Sequence, residues 1–226
     1  MDTAAPRALN DDDRKRRKAS KELRRQQLIE ATIDCLAKFG YAETTLANVA
    51  DLAGLSRGIV NFHFESKEKL LVATLQFMAD EYAAHWRAAL KKAGPAPADR
   101  LRALVEADFD RNVSNRRKLA AWVAFWGEAK SRPTYKALCG ARDEAYQNTV
   151  TGLFAELVAA TGRPLSPEAL AAGLDALLEG LWLRLMMGAD GFRRADARQA
   201  ARTYLAMAFP SHFAFPAPAA PPAETQ

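Results

Sequence analysis

Residues 56–63, SRGIVNFH, hold the side chains with the most specific chemistry in this chain. An arginine fork matches the acceptor pair on guanine, a carboxamide matches adenine, and both also serve phosphate oxygens. Arg57 and Asn61 are such groups. Gly58 between them allows a close backbone approach, Ser56 stands at the segment's start, and Phe62 and His63 can face sugar and phosphate. Thr44, Thr45 and Lys67 stand where helices begin, and hydroxyl, N–H and ammonium groups there meet phosphate readily. This chemistry is recognition of double-stranded DNA, with phosphates setting register and base edges setting preference.

Catalytic chemistry is not written here. The histidines are His63, His85 and His212, and no HExxH, GxSxG, GxGxxG or P-loop pattern occurs. No catalytic residue, metal site or cofactor is expected.

Those side chains need short helices joined by a tight turn. Thr44 or Thr45 is suited to cap a helix with a core face of Leu46, Val49, Ala50 and Ala53. Gly54 then makes a turn, Ser56 caps the next helix, and Ile59 and Val60 anchor it. A first helix from about Ser20 to Phe39 carries the stripe Leu28, Ile29, Ile33, Leu36 and Phe39, and stops at Gly40. Ser66 opens a long fourth helix with Leu71, Leu75, Met78, Tyr82 and Trp86 at spacings of three and four, which AGPAPAD at 93–99 ends. Helices are predicted at 98–113, 116–130, 133–160, 167–187 and 194–208, with Pro133 and Pro167 in first turns. The fold expected is all-α: an N-terminal three-helix helix-turn-helix domain over 20–66 and a C-terminal helical bundle over 67–210.

The chain has 226 residues, 49% of them apolar, and a formal net charge of +5. Within 14–25, Arg14, Lys15, Arg16, Arg17, Lys18, Lys21, Arg24 and Arg25 face one acid, Glu22. Placed before the reader, this run points to a phosphate-contacting arm, read as disordered over 1–19. The Pro/Ala-rich end, 211–226, is likewise read as a disordered tail. Cys35 falls on the apolar side of the first helix and reads as a buried thiol, whereas Cys139 is open to either reading. The acidic start lacks an apolar signal core and no run of about 18 apolar residues exists, so a cytoplasmic protein without a membrane span is expected.

Gly40-Tyr41, Thr44-Thr45, Val49-Ala50, Ala53-Gly54-Leu55-Ser56, Gly58, His63-Phe64, Lys67-Glu68 and Leu70-Leu71 together resemble the N-terminal domain of TetR-type repressors. That family usually carries a tyrosine near the end of its recognition helix, where this chain has Asn61 and Phe62. The resemblance implies a helical homodimer that binds operator DNA through its first three helices and a small-molecule effector through its body. AAWVAFWGEAKSRPTYKAL at 120–138 and ALLEGLWLRLMMG at 176–188 are similar to the C-terminal domain of the BetI-type branch. Those regulators repress glycine-betaine synthesis and respond to choline, which makes a quaternary ammonium compound the implied effector.

Such a cation has no N–H to donate and is held best by aromatic faces beside a carboxylate. Trp122 and Trp126, four apart, and Glu179 and Trp182, three apart, suit one box with Tyr135. Asp108, Asp110, Glu128 and Asp175 are further acids within the body. Plain core is the competing reading of these aromatics, and a TetR-type regulator of efflux or lipid metabolism with an apolar or acyl effector is the competing function. For the dimer, Leu174, Leu178, Leu181 and Leu185 form a broad apolar stripe, and Ala201 and Tyr204 lie on a small-residue face of the last helix.

Overall fold

A computed structural model describes residues 11–188 and 191–215, and the chain divides into two compact units after Thr74. The N-terminal unit holds α1 (Asp11–Phe39), α2 (Leu46–Ala53), α3 (Arg57–His63) and the start of α4 (Lys67–Lys92). Its core is Leu28, Ile33, Leu36, Val49, Val60, Leu70 and Leu71, with Cys35 buried among them. Gly40 ends α1 at φ 77°, and its N–H donates to Leu36 O at 3.0 Å.

The second unit holds the rest of α4 with α5 (Pro97–Asp108), α6 (Arg116–Ala129), α7 (Pro133–Thr161), α8 (Pro167–Met187) and α9 (Arg194–Ala208). Gly162 at φ 63° closes α7, and the Ser166 hydroxyl opens α8 by accepting from the Ala169 N–H at 3.1 Å. The short connection makes α7 and α8 a helical hairpin. Trp122, Phe125, Tyr135, Phe154, Leu174 and Phe209 fill this core. Among the described residues every regular element is helical, and no helix is long and apolar enough to cross a membrane.

Three boundaries and the exposure of one residue differ from expectation. α1 begins at Asp11, not Ser20, so the whole basic run of 14–25 is helical. Acids at 11–13 suit a helix N-terminus, and Lys, Arg and Ala sustain the turns that follow. Residues 1–10 of the arm and 216–226 of the tail lie outside the described residues. The tail remains packed as far as Phe213, 5% exposed, with the Arg102 guanidinium 5.7 Å from its ring centroid. Phe39 lies at the rim of the core, 39% exposed, with Lys38 over its ring. Finally α5 stops at Asp108, well short of 113. The Asp110 carboxylate accepts from the Asn112 N–H at 2.8 Å and the Ser114 N–H donates to Asp110 O at 2.9 Å, which makes 109–114 a turn.

Candidate nucleic-acid interface and effector chamber

Thr45 caps α2 by accepting from the Asn48 N–H at 3.1 Å, and Ser56 caps α3 by accepting from Ile59 at 3.4 Å. Gly54, at φ 62° and ψ 34°, supplies the left-handed residue between the helices. Gln27 of α1 donates to Ala53 O at 2.7 Å and so pins the turn. Arg24 donates in turn to Gln27 at 2.8 Å, which sets its guanidinium beside the turn.

Arg57, Gly58, Asn61 and Phe62 are all exposed and span an arc of about 140° on a helix advancing about 100° per residue. Val60 anchors the opposite side. His63 is the last residue of α3, half-buried and off this arc, and lies below the ordinary histidine pKa because of burial first and then the cations Lys21 and Arg25. Two expected contacts are placed differently. Thr44 is buried and its hydroxyl donates to Gly40 O at 2.7 Å, which uses it inside the domain. Lys67 donates to Tyr41 O and Ala42 O, each at 3.3 Å, and so ties the start of α4 to the α1–α2 loop.

In the second unit two of the aromatics meet one buried acid. Asp108, 2% exposed, accepts from the Tyr82 hydroxyl of α4. The Trp182 indole donates to the carbonyl of the same residue at 3.1 Å. Trp182 stands edge-on to Tyr82 at 5.7 Å and stacks on Trp126 at 6.3 Å and 12°, while Trp126 stacks on Trp122 at 6.3 Å. Trp122, Trp126 and Trp182 therefore form one wall. Tyr135 pairs instead with Phe125 at 5.4 Å. Glu179 is exposed, so the acid that the fold brings to the wall is Asp108.

The turn after Asp108 is held from two sides. Arg194 donates to Phe109 O at 2.9 Å and Ser114 O at 3.1 Å, and Arg198 donates to Phe109 O at 3.0 Å. Burial, with Arg198 and Arg111 nearby, lowers the Arg194 pKa. On α6, Lys118 reaches Glu81 of α4 at 2.7 Å and the carbonyl of Asn112 at 2.5 Å. Adjacent residues of α4, Glu81 and Tyr82, are thus bonded to α6, which carries two residues of the aromatic wall, and to the last residue of α5.

Residues 97–210 match the family described as BetI-type transcriptional repressor, C-terminal, and 28–74 match the tetR family of bacterial regulatory proteins. The HTH-type transcriptional regulator BetI of Paraburkholderia phytofirmans is 35% identical over 191 residues, covering 82% of this chain and 93% of that protein. Its counterpart from Burkholderia thailandensis is 34% identical over 185 residues, with the same coverage. The chain belongs to the BetI-type branch of the TetR family. It is a DNA-binding transcriptional repressor by that membership, in a family of regulators and not of enzymes.

Solved structures share the fold of this BetI-type chain. A transcriptional regulator of Pseudomonas aeruginosa superposes with a TM-score of 0.72 at 27% identity, covering 86% of this chain and 95% of that one. A Saccharomonospora viridis regulator in complex with choline gives 0.73 at 22%, covering 81% and 96%. Sequence reasoning missed Tyr82, read only as the apolar face of the fourth helix, and Lys118. Tyr82 lies 26 residues from Asp108 and Lys118 lies 37 from Glu81, and no local spacing announces partners that distant. The interface residues also divide. Leu174, Leu178, Leu181 and Ala201 of this BetI-type body are covered within a single chain, whereas Leu185 and Tyr204 are half-buried.

Proposed function

We propose that this BetI-type repressor is released from its operator by a small quaternary ammonium compound of the choline class. The observation that carries the reading is buried Asp108, whose carboxyl group accepts from Tyr82 and whose carbonyl accepts from Trp182 of the Trp122–Trp126–Trp182 wall. Aromatic faces and a carboxylate out of water attract a cation that cannot donate an N–H bond. The Saccharomonospora viridis fold relative was solved in complex with choline, which agrees with this chemistry.

The dimer face we assign is the outward arc of α8, Ala169, Ala172, Ala176, Gly180, Leu183 and Met187, all exposed in the single chain. Two reading helices then enter successive major grooves of a pseudo-palindromic operator about 34–36 Å apart. Arg57 and Asn61 meet base edges, while Arg24, Thr45, Ser56 and His63 meet phosphates. The protein works in the cytoplasm, where the operator lies. Effector acts through its different affinities for the DNA-competent and released states. Its route to α4 runs through Tyr82, bonded to Asp108, and Glu81, bonded to Lys118.

The test is tryptophan fluorescence and operator retention during titration with choline, glycine betaine and choline's neutral tert-butyl isostere. Saturable quenching by choline with loss of operator binding, weakened in Trp126→Ala and unchanged in Glu179→Gln, is expected. A response to the neutral isostere equal to that for choline refutes the cation site and directs the search to apolar or acyl effectors.

A further inference from the structure

Phe62 is the large apolar side chain of the reading face, and 74% of it is exposed. The ring is nonetheless held. Lys21 Nζ stands 5.6 Å from its centroid, and the His63 ring meets it edge-on at 5.2 Å and 89°. Ser20, Lys21, Arg24 and His63 line with it a cleft of about 340 Å³ between α1 and α3. An oriented ring thus stands beside two cations, on the same helical arc as Arg57, Gly58 and Asn61.

The occupant follows from charge and chemistry. Lys21 and Arg24 suit a phosphate, and the arc is continuous with the face that meets base edges. In the major groove nearly every exposed group is a donor or acceptor, which an aromatic ring would desolvate without a partner. The exception is the 5-methyl group of thymine. We infer that Phe62 is a specificity-determining residue that packs on the methyl of one thymine in each half-site, with Lys21 and Arg24 on the adjoining phosphate. This rests on the reading of α3 as the base-reading helix of an operator-bound dimer.

The experiment uses the full-length dimer and an operator selected from random duplexes. Each symmetric thymine pair is replaced in turn by deoxyuridine, which removes only the methyl groups. Affinities are measured at one salt concentration for the parent protein, Phe62→Ala, Phe62→Leu and Arg57→Ala. One pair of positions should weaken parent binding about fourfold per methyl, and about fifteenfold together, from the transfer value of a single methyl-sized group. Phe62→Ala should ignore that replacement, Phe62→Leu should retain part of the sensitivity, and Arg57→Ala should keep it while changing preference elsewhere. Because Phe62 is so exposed, these variants should fold as the parent does, which circular dichroism checks. Equal responses of the parent and Phe62→Ala at every thymine would overturn the inference while leaving α3 as reader. Unchanged operator preference in both Arg57→Ala and Asn61→Ala would remove the reading beneath it.

Discussion

Replacing Lys118 by methionine should destabilise the body by about 3 kcal/mol, most of it recoverable by a second substitution. The Lys118 side chain is 9% exposed and that of Glu81 32%. Oxygens of Glu81 and Asn112 surround the ammonium at 2.5–2.7 Å. Gross attraction at about 2.6 Å is about 6 kcal/mol for an effective dielectric of about 20, most of it offset by desolvation. Removing one member of a fully buried pair costs about 3–5 kcal/mol. Glu81 keeps enough exposure to rehydrate, so its isolation costs nearer 2 kcal/mol, and the missing bond to Asn112 adds about 1 kcal/mol. For a unit of this size the midpoint of thermal unfolding should fall by about 6–12 °C. The double variant Glu81→Leu with Lys118→Met leaves no isolated charge and should recover about 2 kcal/mol of the loss. Urea unfolding must be compared at one protomer concentration, because dimerisation stabilises by mass action. The reasoning is refuted if Lys118→Met lies within about 0.5 kcal/mol of the parent, or if the two substitutions add.

Operator affinity should rise as pH falls from about 7.5 to 6, because His63 starts with a lowered pKa in the free protein and gains a proton beside phosphate; His63→Gln should flatten that profile. The free domain should change in the opposite sense. The unfolded histidine binds its proton first, so stability falls as pH drops below about 6.5 through the lowered folded value, and thermal melts of the same variant check it. Leu183→Glu with Met187→Glu should give a folded monomer by analytical ultracentrifugation, since both side chains are exposed, 45% and 63%; a dimer of undiminished affinity rejects the α8 face. Deleting residues 1–19 should reduce the slope of log affinity against log salt by about 0.9 for every phosphate the arm neutralises, leaving operator preference unchanged; an unaltered slope removes the arm from the interface.

Helix positions were legible because local chemistry decides them. Thr45, Gly54 and Ser56 perform the cap and turn roles their types indicate, and Pro133 and Pro167 begin their helices. Apolar spacing similarly announced the buried face of α4, with Leu71, Leu75, Met78, Tyr82 and Trp86 all inside. The misplaced boundary at Phe109 has another origin. Its apolar surroundings read as helix, but the Asp110–Asn112 turn and two arginines from α9, 85 and 89 residues away, fix the chain otherwise. Long-range partners decide a boundary in this way without leaving a mark in the local pattern. Thr44 illustrates the converse: a hydroxyl beside a helix start suggests phosphate, yet the fold uses it on Gly40.

The same distinction explains why Glu179 stands apart from the aromatic wall. Glu179 and Trp182 are three residues apart, which makes them neighbours on the surface of α8. The buried arc of that helix contains Ala171, Leu174, Leu178, Leu181 and Trp182. At about 100° per residue, Trp182 lies at one border of this arc and Glu179 about 60° beyond it. Adjacency along the helix therefore carries Glu179 away from the aromatic wall to which Trp182 belongs. Asp108 reaches Trp182 and Tyr82 because it is the last residue of α5, where the turn leaves its carbonyl for the Trp182 indole and its carboxyl group for the Tyr82 hydroxyl. A buried acid at a helix end gains partners from other elements, whereas one in mid-helix must share a face with its neighbours. A buried carboxyl group among aromatics is thus better sought where a helix ends inside an aromatic core than at helical spacing from a tryptophan.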